Sequence, residues 1–424
     1  MTILSKERKK TMKKKISVLA LSSILIAGSA LASGYRIPEQ SVDSVAKAGA
    51  NIASASHADT SYYNPANMSW TKDAWQFEGA LAYINLSSTS YEDNRSPLMN
   101  GNSESEGFII PTFFLVSPEM NNFRFGISAT APFGLAKRWK QPFPRSTAEE
   151  YSLSVLELNP TVSYQTCSMF SIAAGVRMIY STAKVTNFAQ TSDGMLLTRS
   201  MDGDTTEWGY NLAASLRPMD ELNISVVYRS NVDLGFEGDV VLGTNYPSTF
   251  VMASEGSVEI PAPAVLGISV AYTFGPATID LTWERNFWSE YEDIAFKYDT
   301  PVRHPVLNAV FVPSVPKNWE DSDSYRIGLD YELNSDITLM AGFAYDENPV
   351  PEDTLNFELP DSDAWLYSLG VRYRVNAAME IGMAYLYDYK EDRTVVNGSP
   401  RTGINGEFTD AAAHLFSFGV RYDF

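Results

Sequence analysis

Apolar and polar side chains alternate along most of this chain with a period of two residues. Between Met379 and Tyr389 the odd-numbered positions are all apolar or aromatic, whereas Glu380 and Asp388 are among the even-numbered ones. Successive side chains of a β-strand point to opposite sides of the sheet, so this pattern predicts a strand with one apolar face and one polar face. Similar alternation recurs throughout residues 74–424 and predicts an all-β fold.

The spacing of these segments favours a membrane barrel over a soluble β-sandwich, whose strands also alternate. Many predicted strands are longer than the usual five or six residues. Long connections at residues 88–106, 133–150, 187–207, 234–254, 296–321, 346–361 and 391–411 alternate with short ones at 117–122, 165–169, 217–222, 273–277, 333–336 and 374–378. Outer-membrane barrels have short periplasmic turns and long external loops, and a closed sheet satisfies every backbone hydrogen bond in hydrocarbon. Seven long and six short connections therefore predict a 14-stranded antiparallel transmembrane β-barrel, residues 74–424.

The N-terminal part of the chain does not alternate and divides into two segments. Residues 1–32 have a Lys-rich start, an apolar middle and an Ala-Leu-Ala end, which predicts a signal peptide; the alternative is a membrane anchor. Residues 33–73 are mostly small and polar and precede the first strand. A barrel of about fourteen strands leaves a lumen, so we predict that this segment is an N-terminal hatch (plug) inside it, with a disordered periplasmic tail as the alternative.

Charge, cysteine and histidine content limit the possible partners and chemistry. The formal net charge of −19 does not favour binding to nucleic acid. Cys167 is the single cysteine, so no internal disulfide can form. The three histidines, His57, His304 and His414, fall in the hatch, a loop and the last strand, and none accompanies a recognisable nucleophilic serine. We therefore expect no enzyme activity, no catalytic residues, no metal site and no cofactor.

Several motifs, spread from one end of the chain to the other, resemble a single known family. In chain order they are Gly34-Tyr35-Arg36, Ala48-Gly49-Ala50, Asn64-Pro65-Ala66, Ala131-Pro132-Phe133-Gly134-Leu135-Ala136, Asn318-Trp319-Glu320-Asp321 and Phe343 to Pro351 followed by Leu359-Pro360-Asp361. Their order and spacing resemble the FadL/TodX family of outer-membrane transporters of long-chain fatty acids and other hydrophobic compounds. The resemblance implies fourteen strands, an N-terminal hatch, substrate capture by external loops and lateral exit beside a kinked third strand.

The function that this resemblance implies is passive uptake of hydrophobic molecules, either long-chain fatty acids or aromatic hydrocarbons, through a hatch-gated lateral route. A general porin, or an adhesive or structural outer-membrane barrel, is the alternative. Pro lacks a ladder donor and Gly weakens a strand, so Pro132 and Gly134 predict a break at the outer end of the third strand. The candidate hatch and gating residues are Asn64, Pro65, Ala66, Pro132 and Gly134.

Two long connections, residues 133–150 and 296–321, combine apolar, aromatic and basic side chains. This combination suits an amphipathic carboxylate, although basic groups that bind lipopolysaccharide phosphates are an equal alternative. The candidate substrate-binding residues of these outer loops are Phe133, Leu135, Lys137, Arg138, Trp139, Phe143, Arg303, Leu307 and Phe311.

The last strand alternates up to the terminal residue, Phe424. A terminal aromatic on such a strand resembles the signal that the outer-membrane barrel assembly machinery reads. We therefore expect a multi-pass protein of the outer membrane of a Gram-negative bacterium. Its expected partners are a hydrophobic small molecule, outer-membrane lipid and lipopolysaccharide, and the assembly machinery through Phe424; we expect no nucleic acid, and a monomer.

Overall fold

The computed structural model describes residues 34–396, 398–399 and 401–424. The predicted signal peptide and Ser33, the first residue of the predicted hatch, lie outside the described residues. No helix in the described part of the chain has the length and apolar character needed to span a membrane.

Fourteen strands form one closed antiparallel sheet, which confirms the predicted barrel. The strands are β1 Gln76–Leu86, β2 Glu106–Val116, β3 Phe123–Thr130 and Gly134–Arg138, β4 Glu150–Cys167, β5 Phe170–Gln190, β6 Leu196–Met219, β7 Leu222–Arg229 and Val232–Thr244, β8 Phe250–Ala262 and Val265–Phe274, β9 Ala277–Asn286, β10 Ser322–Glu332, β11 Ile337–Asp346, β12 Ala364–Asn376, β13 Met379–Lys390 and β14 Ala412–Asp423. Each strand pairs with its neighbours in sequence, and β1 closes the barrel by pairing with both β2 and β14.

Alternation along each strand separates an outer apolar face from an inner face, as predicted. On β14, Phe416 and Phe418 are 51% and 49% exposed on the outer face, whereas Leu415 and Ser417 are buried. Such an apolar outer surface suits lipid, because hydrocarbon solvates these side chains and offers no partner to polar groups.

Shorter elements occur in the N-terminal segment and in the connections between strands. The helices are α1 Val42–Ala46, α2 Thr60–Tyr63, α3 Pro142–Ala148 and α4 Pro305–Phe311, with 3-10 helices Pro65–Trp70, Pro97–Met99 and Trp288–Glu290. Two long connections at the same end of the barrel join in a small sheet, formed by Ser90–Asp93, Gly101–Asn102, Arg393–Thr394 and Gly406–Thr409. Asp293–Ile294 pairs with Val315–Pro316, and Lys297–Tyr298 joins the edge of β8. We call the end that carries the long connections the external end.

Two of the predicted long loops, residues 187–207 and 234–254, are mostly strand. Strands β5 and β6 have 21 and 24 residues, about twice the length that crosses a bilayer. The loop prediction was wrong there because the outward residues change from apolar to acidic, as at Asp202 and Asp204. This change ends the membrane-strand pattern without ending the strand.

The predicted hatch lies inside the barrel and contacts strands on all sides of it. Ser41 caps α1 by accepting a hydrogen bond from the Ser44 N–H (3.2 Å). On one side, the Ser69 hydroxyl hydrogen-bonds that of Ser171 on β5 (2.7 Å). On the opposite side, the Ser368 hydroxyl of β12 donates to the carbonyl oxygen of Ala46 (2.8 Å).

Buried ion pairs fasten the hatch to the wall. Asp43 contacts both Arg372 of β12 and Arg421 of β14, and Lys47 binds Asp330 of β10 at 3.0 Å. Removing one partner of a buried pair leaves an uncompensated charge, which costs about 3–5 kcal/mol. These contacts therefore hold the hatch in one position rather than leaving it loose in the lumen.

Candidate functional site

Strand β3 is interrupted between Thr130 and Gly134, at the break predicted from the sequence. Before the break, β3 pairs with β2, and the last paired residues on this side are Ala129 and Phe113. Pairing with β4 resumes after the break. Pro132 occupies the interruption, where its missing N–H removes no ladder hydrogen bond.

The break leaves a gap in the backbone ladder between β2 and β3. Among the described residues, 106–112 of β2 have no ladder partner on the β3 side. Pro111 lies within this stretch, and a residue without an N–H is tolerated at such an edge. The gap ends at the external side, where the Glu104 N–H donates to the Arg138 carbonyl oxygen (2.8 Å).

The first residues of the hatch pair with β3 at this break. The Ile37 N–H donates to the Pro132 carbonyl oxygen (2.8 Å), and the Gly134 N–H donates to the Tyr35 carbonyl oxygen (2.9 Å). The hatch therefore takes the place of β2 as the neighbour of β3 over these residues, from inside the barrel.

Tyr35 also packs in an aromatic cluster with residues of the connection between β9 and β10. The centroid of its ring lies 4.7 Å from that of Trp288, 5.7 Å from that of Trp319 and 6.3 Å from that of Phe133. Gly34 precedes it with a φ of +74°, and a Cβ at this position would lie only 2.7 Å from the Trp288 ring. Only glycine fits here, because both the dihedral angle and the space exclude a side chain.

A cavity of about 50 Å³ adjoins Tyr35 at the external end of the lumen. It is lined by Tyr35, Leu135, Tyr151, Ser152, Leu153, Ala183, Val185, Ile260, Tyr291, Ile294, Lys317, Trp319, Glu358 and Leu359. The lining is mostly apolar and aromatic with a few polar groups, which is the composition of a small-molecule site. Its volume is far below the roughly 300–1,000 Å³ of such sites, so a long ligand would fit only if adjoining groups moved.

A buried ion pair supplies the charge in this cavity. The ammonium of Lys317 contacts the carboxylate of Glu358, and both side chains are nearly inaccessible. Burial, followed by the nearby Arg199 guanidinium, lowers the pKa of Lys317 to about 7. The Lys317 ammonium can bind a ligand carboxylate if the Glu358 side chain moves away. A neutral ligand would leave the Lys317–Glu358 ion pair intact.

Most of the predicted apolar site residues lie inside this external end rather than on its surface. Phe133, Leu135, Trp139, Leu307 and Phe311 are all buried in one hydrophobic cluster with Tyr35. Of these five, only Leu135 lines the cavity itself. Their assignment to substrate binding remains a prediction.

The basic candidates are spread over different environments. Lys137 is buried and its ammonium donates to the Thr89 hydroxyl (3.1 Å). Arg138 forms an ion pair with Glu106 (2.6 Å), and Arg303 is exposed in its loop. The remaining candidate, Phe143 on α3, is partly buried; its ring centroid lies 5.4 Å from that of Phe357 and 6.2 Å from that of Tyr91.

Asn64, the first residue of the Asn64-Pro65-Ala66 motif, attaches the hatch to strands β6 and β7. The Asn64 amide donates to the hydroxyls of Ser215 on β6 and Ser225 on β7, both at 2.9 Å. Pro65 begins the 3-10 helix, and Ala66 is fully buried. Their position suits a structural turn, and a gating role for them remains a prediction.

Sequence reasoning missed the cavity residues Lys317 and Glu358, whose local sequences carry no periodic signal. The motifs that resemble the family do contain other residues of the cavity. Tyr35, Trp319 and Leu359 come from three motifs far apart in the chain and all line the cavity. Convergence of such motifs on one cavity could have pointed to it.

Comparison with known proteins agrees with this architecture. Residues 23–424 match the family model described as "Outer membrane protein transport protein (OMPP1/FadL/TodX)". The chain belongs to this family. The resemblance inferred from its motifs is confirmed, and so is its location in the outer membrane of Gram-negative bacteria.

Curated relatives in this family are similar over nearly their whole length. The "Long-chain fatty acid transport protein" of Escherichia coli strain K12 is 24% identical over 418 residues, which covers 88% of this chain and 91% of the relative. The "Outer membrane protein P1" of Haemophilus influenzae strain Rd is 25% identical over 439 residues, with 89% and 92% covered.

Solved structures of family members share the fold. A FadL homologue from Pseudomonas aeruginosa superposes with a TM-score of 0.80 at 19% identity and covers 92% of this chain and 100% of its own. The toluene transporter TodX from P. putida gives a TM-score of 0.68 at 17% identity, with 91% and 98% covered. The 14-stranded barrel is therefore the family architecture.

Proposed function

We propose that this protein takes up hydrophobic compounds, in particular long-chain carboxylates, across the outer membrane. The observation that carries the proposal is the small, mostly apolar cavity with a buried Lys317–Glu358 ion pair, next to a gap in the barrel wall. One relative is named a long-chain fatty acid transport protein and one structural neighbour a toluene transporter. The Lys317 ammonium would bind the carboxylate of such a ligand in place of Glu358, its present partner.

Such a protein must carry a hydrophobic molecule past the polar outer surface of the membrane. Each buried methylene contributes about 0.8 kcal/mol, so an acyl chain enters hydrocarbon readily once it arrives there. A protein that offers apolar surface from the external loops to the lipid needs no energy source.

The proposed route begins at the external loops and passes through the cavity beside Tyr35. Val310 and Val312, at the end of α4, are exposed apolar residues that could receive a ligand. From the cavity the ligand moves along the hatch end and leaves between β2 and β3 into the membrane. The small cavity volume means that this step requires movement of the first hatch residues, which pair with the broken strand.

A general porin is the competing function, and the packing of the hatch argues against it. Hatch side chains such as Ser44, Ala46 and Asn51 are fully buried, so water does not reach them. An adhesive role would not account for the cavity or for the gap between β2 and β3. The family is one of transport proteins, and we propose no catalytic step.

The remaining assignments extend this proposal. We infer that residues 1–32 are removed on export, that residues 33–73 act as the hatch, and that residues 74–424 form the transmembrane barrel. Phe424 would be read by the barrel assembly machinery, exposed loops would contact lipopolysaccharide, and the protein would function as a monomer.

Uptake and conductance measured together test the proposal. Cells with and without the protein would be given labelled oleate and a toluene-like compound, and the purified barrel would be studied in planar bilayers. We expect faster oleate uptake and little steady conductance. Large, steady conductance with unchanged uptake of both compounds would contradict the transporter function.

A further inference from the structure

One hatch residue spans the gap between β2 and β3. Gln40 is buried, and its carboxamide makes two hydrogen bonds to the backbone of Ala131, inside the β3 break. The Ala131 N–H donates to Gln40 Oε1 (2.8 Å), and Gln40 Nε2 donates to the Ala131 carbonyl oxygen (3.0 Å). A carboxamide thereby reproduces the donor and acceptor pair that a ladder residue would offer.

Gln40 also reaches the other side of the gap. The backbone carbonyl oxygen of Gln40 accepts a hydrogen bond from the hydroxyl of Thr112 on β2 (2.7 Å). The last pair between the two strands is Phe113 with Ala129. Thr112 adjoins Phe113 on the unpaired side, and Ala131 lies two residues after Ala129. One residue therefore connects the two strands where their own ladder stops.

The position of Gln40 links the gap to the cavity. Its Nε2 donates also to the Ile37 carbonyl oxygen (2.8 Å), and Ile37 belongs to the hatch end that begins at Tyr35. Tyr35 lines the cavity, so a ligand that enlarges the cavity on this side displaces the hatch end. Displacement of residues 35–37 would pull on the carboxamide that holds the gap closed.

The opposite side of Gln40 is fixed within the hatch. Its N–H donates to the Tyr63 hydroxyl (2.6 Å), which donates in turn to the Pro38 carbonyl oxygen (3.0 Å). The carboxamide is therefore not a loose side chain that happens to contact the wall. It is presented to the gap by a turn that α2 supports.

We propose that Gln40 is the latch of the lateral exit: it keeps the β2–β3 gap closed until ligand moves the hatch end. This inference rests on the proposed function, because a latch matters only if the gap is the exit. It assigns to Gln40 and Thr112 a positioning role, and it explains why a primary amide, with both a donor and an acceptor, occupies this site.

The test uses the full-length barrel in lipid vesicles and in cells. Gln40→Ala removes both hydrogen bonds to Ala131 together with the side-chain bond to Ile37. Thr112→Val removes the bond from Thr112 to the Gln40 backbone with little change of volume. Asn67→Ala is the matched control, because Asn67 is an equally buried hatch carboxamide whose described hydrogen bonds go to other hatch residues and to Asn223 of β7. Thr112→Ser keeps the hydroxyl and should behave as the wild type.

Opening of the gap is measured by chemical labelling from the lipid phase. Ala131→Cys, placed in a Cys167→Ser background, reports access through a membrane-soluble maleimide. Loss of the two hydrogen bonds to Ala131 should raise the labelling rate on the order of 10-fold in Gln40→Ala, with a smaller rise in Thr112→Val. Asn67→Ala and Thr112→Ser should stay within about two-fold of the parent. Equal labelling of the Gln40 and Asn67 variants would overturn the proposal.

Oleate uptake by the same variants separates this inference from the proposed function. If the wild type does not raise uptake over cells that lack the protein, the transport proposal fails, while the labelling still decides whether Gln40 closes the gap. If the wild type transports and Gln40→Ala labels like the control, only the latch fails. Should Gln40→Ala not yield a folded barrel that resists SDS until heated, Thr112→Val decides the question.

Discussion

A single methyl group added to the wall should displace the hatch. Gly342 of β11 faces the hatch backbone, and a Cβ there would lie 2.1 Å from the Lys47 carbonyl carbon, 2.5 Å from the Lys47 Cα and 2.6 Å from the Ala48 nitrogen. All three are backbone atoms, so no side-chain rotation can relieve the overlap. Normal contact requires about 3.5 Å, so in Gly342→Ala the hatch must retreat by more than about 1 Å.

This retreat would strain two wall contacts. Lys47 binds Asp330 at 3.0 Å, and the Arg326 guanidinium donates to the Ala48 carbonyl oxygen at 2.9 Å. Overpacking of this kind costs about 1–3 kcal/mol, which corresponds to about a 5- to 150-fold change in the population of the displaced hatch. The barrel ladder itself should be unaffected, because Gly342 keeps its pairing.

Hydrogen exchange of the hatch measures this shift. Backbone amides of residues 41–53 should exchange faster in Gly342→Ala by about the same factor, while the strands exchange as in the wild type and the barrel still resists SDS until heated. Gly235→Ala is the control, because its new Cβ would meet nothing closer than 3.7 Å. Unchanged exchange of residues 41–53 in a folded Gly342→Ala barrel would refute the close packing of hatch and wall.

Four further predictions concern other parts of the molecule. Asp43→Asn breaks the buried ion pairs of Asp43 at a cost of about 3–5 kcal/mol. This loosened hatch should give planar-bilayer conductance that the wild type lacks. A variant without conductance would argue that these ion pairs do not hold the hatch. Lys317→Met should slow uptake of labelled oleate several-fold and leave toluene uptake unchanged, whereas equal loss of both would point to a packing defect. Because the pKa of Lys317 is lowered to about 7, its ammonium is lost as the pH rises through this value, so oleate binding should weaken from about pH 6 to about pH 8 in the wild type only. Replacing Pro132 and Gly134 with valine should straighten β3 and slow uptake in a barrel that still folds; undiminished uptake would exclude exit there.

The barrel could be predicted from the sequence because its signals are local. Alternation along one strand is visible within ten residues, and the break at Pro132 follows from the chemistry of one residue. The buried positions of Phe133 and Trp139 could not be predicted in this way. An apolar side chain in a long connection looks the same in sequence whether it meets solvent or packs against other loops, and here the loops converge on one cluster.

The polar residues of the site could not be predicted from the sequence for a related reason. Gln40 and Lys317 each occur in short, irregular segments where a polar side chain is usually solvated. Their burial depends on contacts with residues more than thirty positions away, such as the bond from Gln40 to Ala131 and the pair between Lys317 and Glu358. Local pattern carries no information on such contacts.

The central claim is that a hydrophobic carboxylate passes from the cavity beside Tyr35 through the wall between β2 and β3. The most direct measurement is the mapping of cross-links from a photoactivatable long-chain fatty acid bound to the protein in membranes. We expect labelled residues around Leu135 and Leu153 in the cavity and around Ile109 and Thr112 at the gap. Cross-links confined to the periplasmic side of the hatch, around Ser69 and Lys72, would contradict it.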